Sequence, residues 1–199
     1  MFRRLAVAAL AIMMSSQLEA QVPRKGIAEV QPSRRGGVWG SIGFGAGMEN
    51  VDLDGDALGY SDAFWRPTFD FRLGGTVKQT LRLGGEVFVW TNYQGGFTES
   101  LVTLMPILQV YPVKTAGLNF RGGVGYAWSS VSDNYYYGYT TGDNGFGTLL
   151  GVGWEFPVSS KFFITPGVDW YQQWYGGGTY PGYTERIINF SVSIGLQGG

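Results

Sequence analysis

The chain has 199 residues, with 15 acids against 14 bases, 33 Gly, 13 Phe, 12 Tyr and 7 Trp, and neither Cys nor His. That composition suits one folded domain and excludes a disulfide framework, a Cys/His zinc site and every mechanism built on a histidine base. A formal charge of -1 gives no reason to expect nucleic acid as a partner.

Residues 1–20 open with Arg3 and Arg4, run through an apolar stretch from Leu5 to Met14 and end on Leu18-Glu19-Ala20. This is the pattern of a secretory signal peptide, with cleavage expected between Ala20 and Gln21. The apolar run is about half of the roughly 20 residues that a membrane-spanning helix needs. Residues 21–36 carry Pro23 and Pro32 and no hydrophobic period, so a flexible periplasmic N-terminal tail is expected there.

From Val38 onward the apolar period is two, which predicts strands. The first, near 38–48, sets Val38, Ile42, Phe44, Ala46 and Met48 against Ser41, Gly43, Gly45 and Gly47. The second, near 64–77, alternates Trp65, Pro67, Phe69, Phe71, Leu73 and Val77 with Arg66, Thr68, Asp70, Arg72 and Gly74. In the third, near 81–93, Arg82, Gly84, Glu86 and Asn92 share the polar face with Phe88 and Trp90. The fourth, near 100–112, has Val102, Leu104, Pro106, Leu108 and Val110 on one side and a less polar second side. The fifth (118–129), sixth (145–156), seventh (162–174) and eighth (186–196) repeat the alternation, with Arg121, Glu155 and Asp169 on the faces of small residues. Strands of about 10–13 residues are longer than usual in soluble sheets and match what a tilted membrane strand needs.

Short connections near 78–80, 112–116 and 157–161 each hold one Lys, whereas the connections 50–63, 94–99, 130–144 and 175–185 hold acids. Short turns at one end and longer loops at the other predict an all-β, eight-stranded, antiparallel up-and-down transmembrane β-barrel over 37–199. A soluble barrel would need a water-facing side of long polar groups, and here that side is mostly Gly, Ser and Thr. The ions on it balance: Arg66, Arg72, Arg82 and Arg121 against Asp70, Glu86, Glu155 and Asp169. They are expected to pair as a lumen ion network, because an isolated buried charge is very costly. Pro106 and Pro166 fall on the outward parity, where bulges are expected. Trp65, Tyr93, Trp128, Phe146, Trp170 and Trp174 toward the loops, with Phe71, Phe120, Trp154, Phe156 and Phe162 toward the turns, predict two aromatic girdles.

The stretch from Leu104 to Pro112, followed by Gly117-Leu-Asn-Phe-Arg-Gly-Gly-Val-Gly-Tyr126, resembles the strand-Tyr-Pro-turn-Gly-Gly-x-Gly-Tyr pattern of the OmpA/OmpX-like small outer-membrane β-barrel family. The resemblance covers Gly37 to Leu196 and implies a fold and an outer-membrane address, not a chemistry. Members commonly end in an aromatic; this chain ends Ile194-Gly-Leu-Gln-Gly-Gly199, leaving Leu196 or Phe190 to substitute. Among family analogues, barrels that modify lipid A rely on His, so the resemblance points away from an enzyme.

Two loop features invite function. Asp52-Leu-Asp54-Gly-Asp56 starts like a calcium loop, but Ala57 and Ala63 stand where such a loop needs Gly and Glu, so a solvated acidic loop is weighed against a loose calcium site. Tyr135, Tyr136, Tyr137, Tyr139, Tyr180 and Tyr183 form either a binding surface or the packing of strands that project past the bilayer. The expected function is envelope integrity or surface interaction through extracellular loops, in a monomer whose partners are outer-membrane lipid and lipopolysaccharide, with an extracellular ligand of unstated class and no cofactor. The alternative is a narrow channel or transporter for a small or hydrophobic solute, as in OmpW-like relatives.

Overall fold

The computed structural model describes residues 35–53, 61–133, 140–176 and 182–198. Among them the alternating segments form β1 (Val38–Leu53), β2 (Phe64–Lys78), β3 (Leu81–Gln94), β4 (Phe97–Val110), β5 (Leu118–Asp133), β6 (Thr140–Trp154) with a short continuation Phe156–Pro157, β7 (Phe162–Tyr175) and β8 (Tyr183–Gln197). Each strand pairs antiparallel with its sequence neighbours, β1 pairs with β8, and β6 pairs with β7 on its free side, so the sheet closes into an eight-stranded barrel with no helix among the described residues.

Closure leaves no sheet edge, and hydrogen bonding between strands satisfies the backbone without water, as a bilayer requires. The strands run to 14–16 residues, beyond the expected ends. β1 and β8 pair as far as Leu53 opposite Tyr183, and β5 and β6 as far as Ser132 opposite Thr140. A tilted membrane strand needs only about 9–11 residues, so the wall projects past the lipid on the loop side.

One expected loop is not a loop. The connection placed at 94–99 reduces to Gly95-Gly96 between Gln94 and Phe97, with φ of 60° and 85° at the two glycines. Positive φ at both central residues is what a tight hairpin turn with the right twist requires, and glycine adopts it without Cβ strain. The bulges expected at the prolines are also absent. The β4–β5 ladder breaks between Leu104 and Ile107, beside Pro106, and resumes in the same register. The β6–β7 ladder likewise breaks after Gly153 opposite Gly167 and resumes at Phe156 opposite Ile164, so Pro166 interrupts hydrogen bonding without adding a residue. A missing N–H removes a rung; it does not by itself shift the strand. The register shift that does occur lies between Thr76 and Lys78, beside the β2–β3 turn.

The pleat sorts side chains into lipid-facing and lumen-facing sets. Phe44, Phe69, Leu104, Val124, Leu150 and Ile194 point outward, Leu150 being 60% exposed. Phe88, Trp90, Leu101, Met105, Leu149 and Ile187 point inward, all 1% exposed or less, and form an apolar cluster across the lumen. The apolar second face of β4 is thereby explained: it fills the barrel. Girdle aromatics pair on the outer wall, Phe146 with Trp174 (6.0 Å) and Trp65 with Phe190 (5.7 Å) toward the loops, Trp154 with Phe156 (6.3 Å) toward the turns.

Candidate functional site

Polar chemistry inside the barrel begins at the turn end. Arg82 on β3 donates to Glu155 Oε2 (2.6 Å), to the Tyr111 hydroxyl (2.8 Å) and to Gln197 Oε1 (2.7 Å). Tyr111, just past β4, accepts from Gln109 (2.9 Å) and donates to Glu155 (2.8 Å). Trp39 and Phe163 flank the Arg82 guanidinium at 5.3 and 5.2 Å.

Arg35 completes this layer. The sequence places it in a flexible tail, yet it is 8% exposed: Nε donates to Glu155 Oε1 (3.1 Å), and the terminal nitrogens donate to the carbonyls of Lys114 (3.0 Å), Ala116 (2.6 Å) and Gln79 (3.4 Å). Its guanidinium lies 3.7 Å over the Tyr111 ring. The buried Glu155 carboxylate and carbonyls from two turns demand donors, and a planar fork of N–H groups supplies them together.

A second layer lies at mid-lumen. Arg72 meets Glu86 at 2.5 Å and both Asp70 and Asp169 at 3.3 Å, and also donates to Ser193 Oγ (3.3 Å). Arg121 grips Asp169 Oδ1 through two nitrogens at 2.7 and 3.1 Å. Tyr171 donates to Glu86 Oε1 (2.6 Å) and stacks on Phe88 at 3.8 Å, joining the ions to the apolar layer above. Glycines make the room: a Cβ on Gly151 would sit 1.9 Å from Asp169 Oδ1, and one on Gly43 would sit 2.0 Å from Asp70 Oδ2.

Of the eight ions expected to pair, seven come together in these two layers: Asp70, Arg72, Arg82, Glu86, Arg121, Glu155 and Asp169. Arg66 does not. It lies near the loop end, donating to Asn92 and to Gln94 Oε1 (3.5 Å) with Phe64 4.9 Å from its charge. Arg35 takes the place that parity alone assigned to Arg66. Nothing periodic marks it; the available signal was Glu155, whose turn-end position left Arg82 as the one strand-borne partner.

At the loop end, Tyr183 stacks on Tyr175 (4.7 Å) and its hydroxyl meets Ser129 Oγ (2.5 Å), so this tyrosine packs the projecting wall. Asp52 is half-buried opposite Thr184. Asp54, Asp56, Tyr135, Tyr136, Tyr137, Tyr139 and Tyr180 lie outside the described residues.

A closed barrel, apolar outside and polar-to-apolar inside, is an outer-membrane β-barrel, and its place is the bacterial outer membrane. No family model and no curated protein matches the sequence. Among solved structures, Neisserial surface protein A (NspA) matches with a TM-score of 0.54 and 14% identity, over 78% of this chain and 96% of that one. Ail, the attachment invasion locus protein of Yersinia pestis, gives 0.48 at 11% identity over 81% and 99%. Outer membrane protein OprG from Pseudomonas aeruginosa gives 0.44 at 8% over 84% and 99%. The likeness is one of fold, that of the small OmpA/OmpX-like barrels.

Proposed function

We propose that this protein is a monomeric outer-membrane barrel that passes no solute along its axis and acts through its loop-side face, in surface interaction or envelope integrity. The filled lumen carries this reading. From the turns upward the bore holds the Arg35–Arg82–Glu155–Tyr111 layer, then the Arg72–Arg121–Asp169–Glu86 layer, then Phe88, Trp90, Leu101, Met105 and Leu149. An axial path would have to break buried ion pairs, each strongly destabilising to open. Function therefore falls to the wall, in contact with outer-membrane lipid and lipopolysaccharide, and to the loop side. The carboxylates of these two layers are engaged by arginines and the chain has no His, which supports a reading without catalysis or cofactor in the lower lumen. The refolded barrel in planar bilayers is expected to be electrically silent. Reproducible stepwise conductance would instead establish the channel alternative.

A further inference from the structure

We propose that the loop-side mouth of the lumen binds an alkylammonium group from outside the chain, held between Glu49 and Glu185. Glu49 on β1 stands opposite Ile187 of β8, and Glu185 stands opposite Val51, so the two acids are diagonal neighbours with inward side chains, about 7–8 Å apart in such a ladder. Both are buried, at 1% and 2% exposure. Neither oxygen of Glu49 has a hydrogen-bond partner, and Oε2 of Glu185 has none. The Tyr175 hydroxyl reaches Glu185 but also lies 3.0 Å from Gln173 Oε1, and its single proton serves one acceptor at a time. Glu99 adds a third carboxylate, near enough for the three charges to repel one another.

Deeper in the lumen, Asp70, Glu86 and Asp169 each meet Arg72, and Glu155 meets Arg82. Among the described residues no Lys or Arg forms such an ion pair with Glu49 or Glu185. Arg66 is turned to Asn92 and Gln94, Arg186 has the opposite parity to Glu185 on its strand, and segments 54–63, 134–139 and 176–182 contain no Lys or Arg. A buried carboxyl without a cation avoids the cost of its charge by holding a proton, so a cation from outside gains the pairing less the cost of releasing that proton. Among the described residues no three acidic side chains converge as metal ligands do, whereas two carboxylates and an aromatic wall suit an ammonium on an alkyl chain. Tyr175, stacked on Tyr183, is that wall. Trp90 and Ile187 of the apolar cluster lie beside Gly47, one inward position below Glu49, so a ligand would enter from the loop side, and the site stands whether or not surface interaction is the protein's role.

The full barrel in phosphatidylcholine nanodiscs would be titrated calorimetrically with spermidine and, separately, with end-blocked trilysine. Saturable uptake of one ammonium ligand per barrel is expected, weakened about tenfold or more in the Glu49→Gln/Glu185→Gln double variant and unchanged in Asp62→Asn, an exposed acid outside the mouth. Spermidine binding alone assigns a small free amine; trilysine binding alone assigns lysine side chains of a polypeptide. The amine is also expected to raise the melting point of the parent and not that of the double variant, because a ligand stabilises only the barrel that binds it. Absence of saturation with both probes, equal weakening by Asp62→Asn, or an amine-induced rise in melting point that persists in the double variant overturns the site; loss of heat-modifiable gel mobility would instead report failure of the barrel.

Discussion

Asp169 shows how single residues hold this barrel. It is fully buried and its two oxygens serve two arginines, Arg121 at 2.7 Å and Arg72 at 3.3 Å. Asp169→Asn leaves both guanidinium groups short of one counter-charge and is expected to lower unfolding stability in lipid by about 3–5 kcal/mol, read from the urea midpoint. Gly151→Ala attacks the same contact from the opposite strand, and it is expected to destabilise the barrel as well, because the carboxylate cannot retreat from a Cβ without releasing Arg121. Arg35→Ala removes a shared partner of Glu155 but leaves Arg82 and Tyr111 on it. The expected loss is smaller, about 1.5–3 kcal/mol by the same measurement. Asp169 and its partners were legible from parity, since a strand's alternate residues share a face. Arg35 was not, because its position comes from where three distant segments meet.

At the scale of elements, the wall depends on alternation and on turn chemistry. Leu150 lies on the outer face of β6 midway between the girdle aromatics Phe146 and Trp154. Leu150→Arg there is expected to cost about 2–4 kcal/mol, the penalty of a cation at the bilayer midplane, whereas the same change near a strand end costs less. Folding titrations into vesicles measure the difference. The β3–β4 turn depends on positive φ at Gly95 and Gly96. A hairpin at those glycines was hidden in the sequence because Gln94 to Glu99 read as one loop, while the cross-strand pairs Asn92–Glu99 and Gln94–Phe97 extend the ladder up to the turn. The prolines misled in the same way. Local chemistry foretold a defect, but closure with neighbours on both sides holds each strand in register across a missing hydrogen bond.

For the whole molecule, charge is arranged by height. Arg35, Arg72, Arg82 and Arg121 meet Asp70, Glu86, Glu155 and Asp169 in the lower lumen, and Glu49 and Glu185, with carboxyl oxygens that lack hydrogen-bond partners, lie at the loop-side mouth. A lumen filled at several levels predicts that opening one level does not open the bore. Arg35→Ala, although destabilising, is expected to remain silent in planar bilayers, because the Arg72 layer and the Phe88–Trp90 layer still block the axis; conductance in that variant would show the turn-end layer to be the sole barrier.

The sequence by itself determined the class: period-two alternation with small residues on one face and apolar ones on the other admits a closed membrane barrel and little else, and it assigned most side chains to lipid or lumen. Tertiary structure alone decided which charges meet. Pairing inside a barrel joins residues on different strands at the same height, as Arg72 with Asp169 or Arg35 with Glu155. Height depends on register and closure, which no local period encodes. The same geometry brought Glu49 and Glu185 together as diagonal neighbours across β1 and β8, a juxtaposition that only the assembled barrel reveals.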